Sequence, residues 1–188
     1  MPRPPLRIET DRLVLRRWRA TDAAPLAALH ADPEVMRYLV GPIGHALSDV
    51  LLARMEAHFE AHGFGMWAVE RRAEGDLIGF VGAQQVPFTA AFTPAIEIGW
   101  RLAAAVWGKG YAQEAALAVL RDLRMRLGVD RVVAYTVPAN RRSWRRMERL
   151  GFRRDPEGDF AHPRLPPAHP LSLHWLYRAR LDEAGRPC

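Results

Sequence analysis

A short glycine-rich run, Trp107-Gly108-Lys109-Gly110-Tyr111-Ala112, has the composition of a phosphate-binding turn. An apolar-periodic segment follows it and predicts a helix that continues to about Leu127. The first N–H groups of a helix have no partner within it, and the helix dipole adds partial positive charge there. Because glycines let the backbone come close to a pyrophosphate, the run predicts a site for a phosphorylated ligand.

Two common phosphate-binding motifs do not fit this spacing. A P-loop requires G-x-x-x-x-G-K-[ST], and the segment Gly108-Lys109-Gly110 is too short for it. A dinucleotide fingerprint requires G-x-G-x-x-G, whereas the residue three positions after Gly110 is Gln113. Glycine turns before helices also occur without any ligand, so a second motif is needed to indicate whether this turn binds one.

The second motif is Asn140-Arg141-Arg142-Ser143, followed by Glu148-Arg149-Leu150-Gly151-Phe152. With both motifs in this order, the chain resembles the GNAT acyl-CoA N-acyltransferases. Their pyrophosphate loop is [QR]-G-x-G-x-[GA], from which Trp107 departs at the first position, and their later helix carries N-x-x-[AS] and E-[KR]-L-G-F. The opening Glu9-Thr10-Asp11-Arg12-Leu13 and the segment Glu97-Ile98-Gly99-Trp100 are similar to the branch that acetylates the N-termini of ribosomal proteins.

The resemblance implies acetyl-CoA as co-substrate, no metal ion, and direct attack of an amine on the thioester in a ternary complex. It implies that the strands predicted over 96–102 and 131–137 diverge, that the thioester lies in the gap, and that a backbone amide among Ile98, Gly99 and Trp100 binds its carbonyl oxygen. Asn140 and Ser143 are expected to contact the cofactor, Asn140 through its pantetheine arm. The pyrophosphate is expected to bind the residues of the turn, Trp107, Gly108, Lys109, Gly110, Tyr111 and Ala112.

Glu97 and Ser143 are the candidate catalytic residues. Glu97 alternates with two isoleucines, so either it takes a proton from the amine, through water, or it pairs with an arginine. Many GNAT enzymes carry a tyrosine seven residues after the asparagine as the acid for the leaving thiolate, but Met147 stands there in this chain. The ribosomal-protein branch that this chain resembles uses a serine as this acid, so the resemblance implies that Ser143 is the acid here. The alternatives are a helix-start serine without chemistry and an acid such as Tyr135.

Several other residues have two explanations each. Gly99 suits either a bulge or close backbone approach, or packing room beside a tryptophan. Asn140 suits a helix N-cap as well as a ligand contact. The segment that holds His162, His169 and His174 is either an ordered loop or a border of the acceptor site, and its spacing matches no metal-binding motif.

The predicted elements place these residues in an α+β domain over residues 1–188, with its core at about 8–178. The resemblance implies a GNAT fold, with a central mixed, mostly antiparallel sheet and helices on both faces. Strands are predicted at 12–18, 64–71, 77–86, 96–102, 131–137 and 172–178. Helices are predicted at 21–31, from 33, at 46–62, 111–127 and 140–150, with Thr21 as the N-cap of the first.

Composition limits the class of protein. The 188 residues are 49% hydrophobic and 26% charged, without a membrane span or an apolar secretion segment. Cys188 is the sole cysteine, so no intrachain disulfide can form, and we expect a cytoplasmic protein. Lys109 is the sole lysine in a chain of net charge +6, an arginine bias that indicates a bacterium rich in G+C.

The acceptor and other partners are less constrained. The resemblance favours a protein or peptide N-terminal α-amine, with a small amine such as an aminoglycoside, polyamine or amino acid as the alternative. A catalytically silent acyl-CoA-binding protein on the same fold is a second possibility. The positive charge also suits a nucleic-acid or ribosome-binding protein, although the sequence contains no recognised nucleic-acid motif. No membrane partner is expected, and a homodimer is compatible with the sequence.

Overall fold

The computed structural model describes residues 7–39 and 41–188. Within them lie the strands β1 Arg7–Glu9, β2 Leu13–Arg16, β3 Met66–Arg71, β4 Leu77–Gln85, β5 Ile96–Leu102, β6 Arg131–Thr136, β7 Arg153–Ala161 and β8 Leu173–Arg180. They form an eight-stranded sheet in the order β1-β2-β3-β4-β5-β6-β8-β7. The β5–β6 pair is parallel, whereas β1–β2, β2–β3, β3–β4, β6–β8 and β7–β8 are antiparallel. The predicted α+β class with a mixed, mostly antiparallel sheet is confirmed.

The helices are α1 Ala23–Ala31, α2 Pro33–Met36, α3 His45–His62, α4 Tyr111–Leu127 and α5 Arg141–Arg149. Local signals explain several of their ends. Asp32 caps α2 by accepting hydrogen bonds from the N–H groups of Glu34 and Val35, and Gly63 ends α3 with φ of 73°. Among the described residues, no helix combines the length and apolar character that crossing a bilayer requires.

The chain folds into two compact units. The described residues up to Gln84, with Gly99–Val119, form the first, and Gln85–Ile98 with Leu120–Cys188 form the second. The prediction of a single domain over residues 1–188 stays a prediction.

In the first unit, a buried ion pair joins β2 to the start of α1. Arg16 donates from Nη1 and Nη2 to the two carboxylate oxygens of Asp22, at 2.7 and 2.9 Å. Asp22 also accepts the N–H of Arg19 at 2.7 Å. Burial alone would raise the pKa of Asp22, but the hydrogen bonds and charges of Arg16 and Arg19 together outweigh it and lower that pKa. Asp22 precedes α1 directly, so the prediction of Thr21 as N-cap was wrong.

The same unit contains a fully buried histidine, His30 on α1. Its Nδ1 lies 2.9 Å from the Ser48 hydroxyl, and its ring meets Phe80 edge-on at 6.2 Å. Burial, with a smaller effect of the Arg101 charge, lowers the pKa of His30 to about 4. His30 is therefore uncharged in the folded protein at neutral pH.

In the second unit, the two faces of β6 and β8 have different neighbours. On one face, Val133 and Leu176 are buried in an apolar cluster with Phe92. On the other face, the Tyr177 hydroxyl donates to Glu148 Oε1 of α5 at 3.3 Å, so α5 covers that face. Burial first, and the Glu148 carboxylate second, raise the pKa of Tyr177 to about 12.

Two strands were missing from the predicted set. β1 precedes the first predicted strand, and β7 occupies 153–161, whereas the only strand predicted after 137 was 172–178. β7 contains Pro156 and Gly158, which interrupt a strand pattern, and its pairing with β8 shifts register between Asp155 and Phe160. Such residues are tolerated because β7 is an edge strand.

Candidate functional site

The glycine turn lies directly before α4, as predicted. Gly108 and Gly110 have φ of +81° and +84°, a region that side-chain-bearing residues rarely adopt. A Cβ placed on Gly108 would have no heavy atom within 4 Å, so the space beside the turn is open. The N–H groups of Gln113 and Glu114 donate to the Gly110 carbonyl at 3.1 Å. The amides before them lie at the positive end of α4, where a phosphate fits.

The helix behind the turn is held by an apolar stripe. Residues spaced three and four apart along α4 are almost fully buried, namely Ala112, Ala115, Ala116, Val119, Leu120 and Leu123. This stripe fixes the direction of the helix, so the amides at its start point in a fixed direction.

Three side chains hold the turn, Thr10, Arg12 and Glu114, and we call them the Arg12 clamp; no motif in the sequence predicted this set. Arg12 donates from Nε to Glu114 Oε2 at 2.7 Å and from Nη1 to the Lys109 carbonyl at 2.9 Å. Its guanidinium also lies 4.6 Å from the centre of the Tyr111 ring. The Thr10 hydroxyl donates to Glu114 Oε1 at 2.6 Å. The segment before β2 therefore fixes both the loop and the first turn of α4.

The clamp also controls the charge beside the turn. Partial burial alone would raise the pKa of the Glu114 carboxyl, but hydrogen bonds from Thr10 and Arg12 outweigh it and lower that pKa. Glu114 is therefore an ionised carboxylate matched by an arginine, which limits its repulsion of an anion at the turn. Thr10 and Arg12 belong to the opening segment noted in the sequence, which was the available signal.

Trp107 contributes a side-chain hydrogen bond to the turn, whereas Lys109 contributes a backbone one. The Trp107 indole donates from Nε1 to the Leu102 carbonyl at 2.8 Å, which closes the segment between β5 and the turn. Lys109 is exposed, and its carbonyl accepts the Arg12 bond. At the position where the family motif carries Gln or Arg, this chain thus has an indole that makes a local structural hydrogen bond.

Three neighbouring residues of β5 differ in exposure. Ile98 is buried with 3% of its surface exposed, whereas Gly99 and Trp100 are half-buried. A Cβ on Gly99 would meet only the Met66 Cε within 4 Å, at an ordinary 3.5 Å. Crowding by the protein therefore does not require glycine at this position.

Glu97 lies on the face of the second unit that holds the apolar cluster. It is the register partner of Val133 in the parallel β5–β6 pair, so the two side chains share a face. The residue is half-buried, and its Oε2 is fully covered. Ala95, two residues earlier on the same face, packs against the cluster of Phe92, Val133 and Leu176.

Asn140 and Ser143 stand at the start of α5. Asn140 Oδ1 accepts the N–H of Ser143 at 3.3 Å, as predicted for an N-cap, and Asn140 Nδ2 donates to the Thr136 hydroxyl at 3.1 Å. Ser143 is half-buried, whereas Met147, one turn further on, is a core residue with 2% exposure. The residue at the family's tyrosine position is thus buried in the helix packing.

The structure does not bring Glu97 and Ser143 together on one face of the sheet. Thr136 is the register partner of Trp175, and the Trp175 ring lies 6.0 Å from the Trp144 ring of α5. The face of β6 that holds Thr136 is opposite to the face that holds Val133. Ser143 therefore belongs to the α5 face and Glu97 to the other.

Six rings pack together on the side of the sheet that holds Glu97, and we call them the aromatic cluster: Phe88, Phe92, Tyr135, Phe160, His162 and His174. Tyr135 is the register partner of Leu176, and Phe160 that of His174, which places these rings on one face of the sheet. His169 makes a local contact instead, accepting the N–H of Leu171 on its Nδ1 at 3.1 Å. Of these residues, the two histidines were predicted as a possible border of the acceptor site and the phenylalanines were not.

The two histidines of the cluster are uncharged at neutral pH. Burial lowers the pKa of His174, and burial, with smaller effects of the neighbouring His174 and Arg164, lowers the pKa of His162. Their ring centres lie 5.1 Å apart. Over residues 7–39 and 41–188, no group of three or more His, Cys, Asp or Glu side chains is placed to hold a metal ion.

Comparison with known proteins gives a family match that includes the glycine turn and the start of α5. A family model described as acetyltransferase (GNAT) domain matches residues 12–153. Uncharacterized protein YkkB of Bacillus subtilis (strain 168) is 31% identical over 147 residues, 78% of this chain and 84% of YkkB. The ribosomal protein uS5-alanine N-acetyltransferase of Escherichia coli (strain K12) is 26% identical over 161 residues, 81% of this chain and 80% of that protein. The crystal structure of the acetyltransferase from Agrobacterium tumefaciens str. C58 superposes with a TM-score of 0.76 at 26% identity, covering 95% of this chain and 96% of that one.

Proposed function

The chain belongs to the GNAT family of acetyltransferases, and from this premise we propose that it acetylates the α-amine at the N-terminus of a peptide or protein. The family match carries the enzyme class, an acetyl-CoA-dependent N-acetyltransferase. Similarity to the uS5-alanine enzyme over 81% of the chain supports the α-amine. The Arg12 clamp adds to this support, because two of its residues come from the opening segment that resembles the ribosomal-protein branch.

The glycine turn is our proposed site for the pyrophosphate of acetyl-CoA. The open space beside Gly108 and the amides at the start of α4 suit two phosphate groups. The pairing of Glu114 with Arg12 limits the repulsion that a bare carboxylate would cause there. Asn140 has one amide hydrogen and one oxygen lone pair beyond its two hydrogen bonds, and we assign these to the pantetheine arm.

Glu97 is our proposed general base. An amine must lose a proton to attack, and Glu97 removes it directly or through one water molecule. The nitrogen lone pair then forms a bond to the thioester carbonyl carbon, and a backbone amide of the Ile98–Trp100 segment stabilises the oxyanion. The light contact at Gly99 leaves room for an acyl group beside this backbone.

Ser143 is our proposed acid. When the tetrahedral intermediate collapses, the carbon–sulfur bond breaks and its electron pair goes to sulfur. The Ser143 hydroxyl donates a proton to that thiolate and recovers one from solvent. Since Ser143 lies on the α5 face and Glu97 on the other, the two proton transfers take place on opposite faces of the sheet.

An acetyl-transfer screen tests the proposal. The purified protein and acetyl-CoA are incubated with peptides bearing free α-amines, with the same peptides blocked at the N-terminus, and with small polyamines and aminoglycosides. CoA release is measured, and the acetylated atom is located by mass spectrometry. We expect release with free α-amines and none with the blocked peptides. Release with polyamines alone would replace the proposed acceptor by a small amine, and tight acetyl-CoA binding without any turnover would show a non-catalytic acyl-CoA-binding protein.

A further inference from the structure

The aromatic cluster borders the proposed base and has no function in the mechanism described so far. Val133, the register partner of Glu97, and Ala95, two residues before Glu97, both belong to the apolar packing beneath the rings. Phe88 comes from the loop after β4 and contacts the rings of Tyr135, Phe160 and His162 at 5.9, 5.8 and 4.9 Å. Except for Phe92, all the rings of the cluster are half-buried, so part of each is accessible.

We propose that the aromatic cluster binds the first side chain of the acceptor peptide and selects an uncharged aromatic or apolar residue there. This inference rests on the proposed function, because it assumes that an amine meets Glu97 on this face. The exposed parts of these half-buried rings can contact one further ring in the edge-to-face geometry that aromatic pairs prefer. The cluster is therefore complementary to a phenylalanine-like side chain.

The charges around the cluster favour the same class of acceptor. Its two histidines are uncharged at neutral pH, because burial disfavours their charged forms. Arg164 lies at the rim, where its Nη2 donates to the Pro87 carbonyl at 3.3 Å and its charge acts on His162. A lysine side chain or a polyamine would bring further positive charge to this rim, and an aromatic side chain would not.

The hydrogen bonds of the two histidines fit a peptide group. His174 Nδ1 lies 3.0 Å from the Ser172 carbonyl, which can only accept, so that nitrogen carries the hydrogen and Nε2 is an acceptor. His162 Nδ1 accepts the N–H of Arg164 at 3.3 Å, so its Nε2 is a donor. One donor and one acceptor, on rings whose centres lie 5.1 Å apart, complement the C=O and N–H of a peptide bond, which a simple amine lacks.

The experiment compares four acceptors: tetrapeptides that differ only in a first residue of Phe, Ser or Lys, and 2-phenylethylamine. We expect kcat/KM for the Phe peptide to exceed that for the Lys peptide about tenfold or more, as burial and ring pairing of one aromatic side chain imply. Phe88→Ala should remove most of this preference, because it should lower kcat/KM for the Phe peptide much more than kcat/KM for the Lys peptide. His162→Glu should raise kcat/KM for the Lys peptide relative to kcat/KM for the Phe peptide. The matched control is Leu173→Ala, an exposed neighbour on the opposite face of β8, which should change neither rate.

Binding is measured in parallel by calorimetry, with the protein saturated with CoA. If the Phe peptide binds and Phe88→Ala weakens it while no peptide is acetylated, the cluster is confirmed as the side-chain pocket and the proposed function fails. If all peptides are acetylated at equal kcat/KM, the proposed function holds and the inferred pocket is refuted. Equal kcat/KM for 2-phenylethylamine and the Phe peptide would refute recognition of the peptide group by the histidines.

Discussion

Placing a carboxylate in the glycine turn tests the pyrophosphate site most directly, and Gly110→Glu is the variant. Two effects must be separated. Gly110 has φ of +84°, and a side chain there costs about 1–2 kcal/mol of backbone strain. The new Cβ would also lie 3.3 Å from Arg12 Nη2, so the side chain can draw that guanidinium away from Glu114. Gly110→Gln has the same shape and the same strain without the charge.

The electrostatic part follows from Coulomb's law. A carboxylate about 5 Å from two phosphate charges is repelled by about 1.7 kcal/mol in a water-like medium, and by more where the site excludes water. Because each 1.4 kcal/mol is tenfold in affinity, Gly110→Glu should bind CoA at least about 15-fold more weakly than Gly110→Gln. The difference should shrink in about 1 M salt, where the screening length falls to about 3 Å.

Isothermal calorimetry with CoA measures both affinities, and thermal unfolding measures the strain. Gly128→Glu is the matched control, because Gly128 follows the other end of α4, has φ of +68° and has open space at its Cβ position. Gly128→Glu should lose about as much stability as Gly110→Glu and should keep the CoA affinity of the wild type. If Gly110→Glu and Gly110→Gln bind CoA within twofold of each other in folded protein, the turn does not hold the pyrophosphate.

Three other perturbations separate the remaining roles. Glu97→Gln should lower kcat about 10²–10⁴-fold at neutral pH and recover partly at high pH, where more free amine exists; a wild-type rate with the same pH profile would make Glu97 structural. Ser143→Ala should lower kcat about tenfold with little change in acetyl-CoA affinity, and a thioester of a more acidic thiol should restore the rate; an unchanged kcat would leave the acid to water or another residue. The pKa of His30 is about 4 in the folded protein and about 6.5 in the unfolded chain, so protonation favours unfolding. The free energy of unfolding should therefore fall by about 3 kcal/mol as the pH is lowered from 7 to 4. Denaturant unfolding of His30→Gln should show a smaller fall over the same pH range. An equal fall in both proteins would assign the pH dependence to other groups.

Local patterns in the sequence were sufficient for the elements that carry the proposed cofactor site. β5 was predicted at its observed bounds, and α4 at its observed end, because alternation, two glycines and an apolar stripe are all encoded within a few turns of chain. The N-cap at Asn140 and the C-cap at Gly63 are equally local signals. These features depend on neighbours along the chain, which a sequence shows directly.

The missed features depend on contacts between distant residues. Arg12 and Glu114 are 102 positions apart, and nothing near either one predicts their pairing. β7 is polar and contains a proline, so only its pairing with β8 makes it a strand. The aromatic cluster needs β7 for Phe160 and the loop after β4 for Phe88, which explains why the sequence indicated two of its histidines and none of its phenylalanines.

The opposite placement of Glu97 and Ser143 has a kinetic consequence. In the proposed mechanism the thiol of acetyl-CoA leaves toward α5, whereas the amine meets Glu97 on the other face of the sheet. The two substrates therefore do not compete for one entrance. Either substrate can then add first, and either product can leave first. Initial-rate plots for two varied substrates should intersect rather than run parallel, and each product should inhibit competitively only against the substrate that uses its own side of the sheet.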